Sequence, residues 1–125
     1  MNIPGLITCH KTEVALAARR LVTHGSVPDE ITLAVDSSKL IIGVTTIVTS
    51  DVGEPTDVVR SQLTPVVYGA DIVAGDPLTA DAEGRAVKAT SGFYLGFAEY
   101  DGAEGDIGSV WIAPGQLTAA AGGGG

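Results

Sequence analysis

A single cysteine, Cys9, leaves this chain without an intrachain disulfide and without a cysteine-based zinc site. Basic residues are also scarce, 7 Lys and Arg against 15 Asp and Glu, for a formal net charge of −8. Nucleic-acid affinity rests on Lys and Arg displacing counterions from phosphates, so no nucleic-acid partner is expected. Long apolar runs are missing as well. The longest, Leu40 to Val48, is interrupted by Gly43, Thr45 and Thr46 and falls short of the ~20 residues that span a bilayer. The first thirteen residues lack a basic start followed by an apolar stretch and contain Pro4, Gly5 and His10, unlike a secretion signal. The expectation is a soluble protein made in the cytoplasm, with no membrane partner.

The familiar catalytic signatures are absent too. There is no Gly-x-Ser-x-Gly elbow, no phosphate-binding loop ending in Lys-Ser/Thr and no His-Glu-x-x-His. Cys9-His10 is the nearest nucleophile pair, but neighbours in an extended chain point in different directions, and an activated thiolate needs a held, electropositive site. His24, the other histidine, stands at no spacing that resembles a zinc site. Two acidic clusters, Asp76 to Glu83 and Asp101 to Asp106, place carboxylates in loops. In the second, alternate positions are Ala103 and Gly105, which offer calcium no side-chain oxygen. Three Tyr, two Phe and one Trp are too few to line a sugar cleft. The chain reads as a non-enzyme that calls for no cofactor and no metal.

What is plentiful is glycine, 17 residues in 125, between short segments rich in Val, Ile and Thr. That pattern predicts a mainly-β sandwich or barrel of one domain. Strands are expected near 18–23, 31–35, 40–48, 57–62, 65–69, 86–90, 93–99 and 107–113. Turns fall between them, at Gly25 to Asp29, Asp36 to Ser38, Asp51 to Pro55, Ala74 to Pro77, Asp81 to Gly84 and Asp101-Gly102. In the segment 40–48, Leu40, Ile42, Val44 and Val48 alternate with Ile41, Thr45 and Ile47, which predicts a central strand buried on both faces. In 93–99, Phe93, Leu95 and Phe97 share one face, with Tyr94, Gly96 and Ala98 on the other.

Residues 12–21 are rich in helix formers, with Thr12 a candidate N-cap. The β context favours an extended lead-in that becomes a strand by Arg20. The division is therefore an N-terminal arm over 1–14, a β-barrel-like domain over 15–117 and a flexible glycine-rich tail over 118–125. An internal echo runs through the chain. Ile42-Gly43-Val44, Gly53-Glu54 and Asp57-Val58-Val59 are followed later by Leu95-Gly96-Phe97, Gly105-Asp106 and Ser109-Val110-Trp111. Two related hairpins or chance would each produce it.

The most distinctive segment, Ile72 to Val87, carries Gly75-Asp76-Pro77-Leu78, then Thr79-Ala80-Asp81 and Gly84-Arg85-Ala86-Val87. It resembles the capsid cement (decoration) proteins of tailed bacteriophages, the family also described as DUF2190. Flanking motifs agree in order: Arg20-Leu21-Val22, Ile42-Gly43-Val44 and Gly53-Glu54 upstream, with Leu95-Gly96-Phe97-Ala98 and Val110-Trp111-Ile112 downstream. The resemblance covers about residues 14 to 115. It implies a β-barrel or β-tulip domain, a homotrimer at three-fold or quasi-three-fold positions on the outer capsid surface, and the major capsid protein as partner. On that reading Ile3, Pro4, Leu6 and Ile7 of the arm contact the capsid, and Tyr94 and Trp111 pack at the subunit interface or in the core. A glycan- or calcium-binding β module displayed on a particle surface is the alternative.

Overall fold

The computed structural model describes residues 3–117, and among them no helix is present. The strands are β1 (Ile3–Pro4), β2 (Ile7–Thr12), β3 (Leu21–His24), β4 (Glu30–Leu33), β5 (Ile41–Thr45), β6 (Pro55–Val59), β7 (Gln62–Val67), β8 (Pro77–Ala80), β9 (Ala86–Lys88), β10 (Gly92–Ala98) and β11 (Ile107–Leu117). The small β-barrel domain is as expected. β2, β4, β3, β5 and β6 close a barrel in that order, and β1, β7, β11, β10, β8 and β9 form a six-stranded sheet beside it.

Residues 7–12 are not a loose arm. They form β2, which pairs antiparallel with β6 from Ile7–Val59 to Lys11–Pro55 and parallel with β4 at Thr12–Ile31. Alternation of Thr8, His10 and Thr12 against outward Ile7, Cys9 and Lys11 is a strand signal, masked in the sequence by its modest hydrophobicity. Ile3 and Pro4 pair with Leu63 and Gln62 at the edge of β7, where proline's missing N–H is tolerated. The glycine tail lies outside the described residues. The helix-forming stretch 13–20 is irregular backbone, held by the mutual hydrogen bonds of Leu16 and Ser50, and β3 starts only at Leu21.

The echo is structural. The pairs running from Ile7–Val59 to Lys11–Pro55 in β2 and β6 recur, position for position, from Leu63–Trp111 to Val67–Ile107 in β7 and β11. Val22 opposite Gly43 recurs as Leu78 opposite Gly96. Thr12 bonds to Glu54 and Gly53 as Tyr68 bonds to Asp106 and Gly105, and the Leu16–Ser50 bridge recurs as Ile72–Gly102. Even the parallel contact Thr12–Ile31 has its counterpart in a single bridge, Tyr68–Ala86. The chain is a tandem of two copies of one five-stranded unit, β2 to β6 and β7 to β11, preceded by the short β1.

Each unit owns a core. In the first it is Leu16, Val22, Ile31, Ile42 and Val58, and in the second the equivalent positions hold Ile72, Leu78, Ala86, Leu95 and Val110. A second layer joins the units: Leu21, Ile41, Val44 and Val59 of the first belong to the same buried cluster as Val66, Leu95 and Ile112 of the second. β5 is thus buried on both faces, as its apolar alternation indicated, but it stops at Thr45 and leaves Ile47 and Val48 exposed.

Gly43 and Gly96 have one job. A Cβ on Gly43 would run into the carbonyl of Val59, and one on Gly96 into the carbonyl of Trp111. Each lets the adjacent strand cross at close range. The β10–β11 ladder also slips between Tyr94 and Gly96, where Ala113 and Pro114 oppose Leu95 as a bulge. The slip breaks the alternation expected of 93–99. Leu95 is fully buried, while Phe97 stays partly exposed and meets the ring of Tyr94 instead.

Tyr68 closes the second core. It is fully buried, its hydroxyl donates to the Tyr100 carbonyl at 2.7 Å, and burial pushes the phenol above its ordinary pKa. Tyr68→Phe removes that hydrogen bond from a buried ring and is expected to cost about 1 kcal/mol in urea unfolding.

Candidate functional site

Two surfaces stand out. The first is aromatic. Tyr94, Phe97 and Trp111 lie in sequence on β10 and β11, with ring centroids 5.4 Å apart for Tyr94–Phe97 and 6.5 Å for Phe97–Trp111. Phe97 pairs directly with Trp111 across the ladder. Their counterparts in the first unit are Ile41, Val44 and Val59, all sealed beneath the second unit. Val59 is 3% exposed and Trp111 56%. The same face of the same unit is covered in the first unit and open in the second. Trp111 is therefore a surface residue and not a core one. Scarcity of aromatics in the sequence hides the site; Phe97 and Trp111 meet by strand register, but the spacing alone gives no reason to add Tyr94, which the bulge brings beside Phe97.

The second surface is at the N-terminal edge. Leu6 and Ile7 are exposed, and Leu6 is anchored by its N–H to Ser61 Oγ at 2.7 Å and by its carbonyl to the Arg60 N–H at 2.8 Å. Ile3 and Pro4 lead into them along β7. The four residues expected to contact a partner thus lie together on one edge, pinned to the fold. Behind Ile7 a cavity of about 240 Å³ opens where the two units meet, lined by Ile7, Ile47, Val59 and Pro65 on its apolar side and by Arg19, Thr45, Thr46 and Thr64 on its polar side. Sequence reading had no signal for Arg19, whose place at the cavity depends on the register between units.

The reactive groups are dispersed. Cys9 is an exposed residue on β2. His10, next to it, is held between Thr8 Oγ1 at 2.7 Å and Asp29 Oδ1 at 3.2 Å. The loop carboxylates serve the turns: Asp76, Glu54 and Asp106 each accept a backbone N–H three residues upstream, from Val73, Asp51 and Ala103. Asp81 accepts from the Glu83 and Arg85 backbone and from Arg85 Nε at 2.9 Å, a bond that raises the guanidinium's pKa. Hydrogen bonds from Ser26 lower the pKa of Glu13, and those from Ser38 lower that of Asp36. Among the described residues no three His, Cys, Asp or Glu side chains form a metal-sized group. No helix there is long and apolar enough to cross a membrane.

No family model matches the chain, and no curated protein does. Among solved structures, the N base of head fiber gp8.5 in bacteriophage phi29 is similar, with a TM-score of 0.70 and 24% sequence identity over 86% of this chain and 93% of that one. The chain folds like that head-fiber base. At this identity the likeness concerns the fold alone. The resemblance drawn from Ile72 to Val87 is corrected by the absence of a matching family model: membership of the decoration-protein family finds no support. Short Gly-Asp-Pro-Leu turns recur wherever a tight β turn needs a positive-φ glycine, such as Gly75 at φ 94°, so that motif reports turn chemistry more than ancestry.

Proposed function

We propose that this chain is a non-catalytic structural protein of a bacteriophage head, bound to the major capsid protein on the outer surface of the shell. The observation that carries the reading is the open aromatic face, on a fold shared with the N base of a phage head fiber. Apolar faces left to water by a fold ordinarily give way to polar side chains. This one instead carries the chain's single Trp beside Phe97 and Tyr94, residue types enriched where proteins bind proteins. In the first unit the same face holds a protein domain, so a protein surface fits it.

The occupant of the aromatic face is another copy of the chain, in a trimer at a three-fold or quasi-three-fold position, while the Leu6–Ile7 edge faces the shell. Three modest contacts to the shell, linked in one trimer, then act with the avidity that none has alone. The charge of −8 suits this placement, since like charge repels the protein from packaged DNA and leaves the outside favoured. The test is co-sedimentation of the purified protein with undecorated heads of the phage whose genome encodes it. Saturable binding at a fixed copy number is expected; absence of binding to those heads would sink the proposal.

A further inference from the structure

Arg19 occupies a position that its counterpart makes unusual. Three residues after the Leu16 bridge the backbone turns to φ 58° at Arg19, and three residues after the equivalent Ile72 bridge it turns to φ 94° at Gly75. The next residues match as well, with Thr45 N–H donating to the Arg20 carbonyl as Ala98 N–H donates to that of Asp76, both at 2.9 Å. A left-handed conformation suits glycine and strains arginine. One unit has the residue its backbone favours, and the other has a cation in its place.

That cation faces the cavity between the units. The Arg19 backbone spans the junction, its N–H donating to Thr46 and its carbonyl accepting from Val67. Its guanidinium makes no hydrogen bond or ion pair among the described residues, in a chain with about twice as many acids as bases. Thr64, on the opposite wall, is 2% exposed and its hydroxyl has no partner within the described residues either. Its counterpart Thr8 does have one, in His10. A five-donor guanidinium and a free hydroxyl over a floor of Val59 and Pro65 match a carboxylate on a short aliphatic stem. Exposed Ile7 and Ile47 line the cavity with apolar surface that a free small acid would leave wet.

We infer that the Arg19 cavity receives an acidic side chain, a Glu or Asp of the partner protein, and so fixes the register of docking at the N-terminal edge. The inference rests on the head-binding reading above. Two measurements test it. In the first, glutarate is titrated into labelled protein and followed by backbone NMR. Shifts at Arg19, Thr46 and Thr64 over a millimolar range are expected, and none in Arg19→Gly. No shift in the wild type would overturn the cavity as a carboxylate site, and saturation at micromolar glutarate would overturn the side-chain source in favour of a free acid.

In the second, Arg19→Gly and Arg19→Lys are bound to phage heads. Glycine accepts this backbone, so the Gly variant should melt no lower than wild type while its affinity falls about tenfold or more, as loss of a charge-assisted pair requires. Lysine, with the charge but not the fork, should fall between the two. Equal head binding by wild type and Arg19→Gly would overturn the docking role. If the wild type itself fails to bind heads, the head-binding reading fails, and the glutarate titration alone decides the cavity.

Discussion

Replacing Trp111 and Phe97 together with serine should turn the proposed oligomer into a monomer, measured by light scattering, without lowering the melting temperature by more than a few degrees. The ring of Trp111 is more than half exposed in the single chain, so removing it opens no cavity there. At an interface it acts differently. Aromatic anchors in such faces typically contribute 2 kcal/mol or more, so association should weaken at least about thirtyfold, and the two rings touch. The twin position gives the control. Val59 occupies in the first unit the place of Trp111 in the second, yet it is buried beneath the second unit. Val59→Ala should cost about 2 kcal/mol of folding stability and leave the oligomer's mass unchanged. If Val59→Ala and the double serine variant behave alike, the open face is not an interface.

The second large effect is a reversal of sign. Gly→Ala within a strand ordinarily helps, because glycine gives up more freedom on folding and offers no side chain to pack. Gly96→Ala should instead destabilise by about 3 kcal/mol, because its Cβ meets the Trp111 carbonyl and the Ala113 backbone, neither of which a rotamer change can clear. The melting temperature should drop by roughly 10 °C. Gly43→Ala should do the same through the Val59 carbonyl and the Val58 side chain. Both losses following together would confirm that the units share one packing solution. A Gly96→Ala protein that melts with the wild type would mean that β10 and β11 do not cross as closely as described.

Much of this was written in the sequence, but unevenly. β5 announced itself by apolar residues on both faces, since a strand between two layers has no polar side. The tandem was present as glycine and acid at matched places, Gly43 with Gly53-Glu54 and Gly96 with Gly105-Asp106: Gly43 and Gly96 admit a neighbouring carbonyl, Gly53 and Gly105 turn at positive φ, and Glu54 and Asp106 accept turn N–H groups. Core positions drifted freely between the units, Ile31 against Ala86 and Leu16 against Ile72, since volume can be traded among neighbours. β2 escaped notice because its apolar content is low and its stability comes from pairing on both sides. β8 escaped because Pro77 reads as a turn, although proline is tolerated at a strand's first residue.

The candidate surfaces were harder to see for a different reason. Tyr94 joins the directly paired Phe97 and Trp111 because a bulge opposite Leu95 shifts the ladder, and a bulge has no period to detect. Ile7 and Arg19 meet only because two units dock. Leu6 and Ile7 were legible as apolar residues near the N-terminus, yet a free arm was the wrong picture: Ile7 belongs to β2 and Leu6 is held by Ser61 and Arg60, so the proposed docking would spare the ordering entropy that a disordered arm gives up.

Electron cryomicroscopy of phage heads saturated with the protein tests the central claim most directly. The account predicts density on the outside of the shell at three-fold or quasi-three-fold positions, with the Leu6–Ile7 edge against the capsid protein and the Trp111 faces turned toward one another. Heads that carry no such density after saturation, or density in which the Trp111 faces point to solvent and the Leu6–Ile7 edge away from the shell, would contradict it.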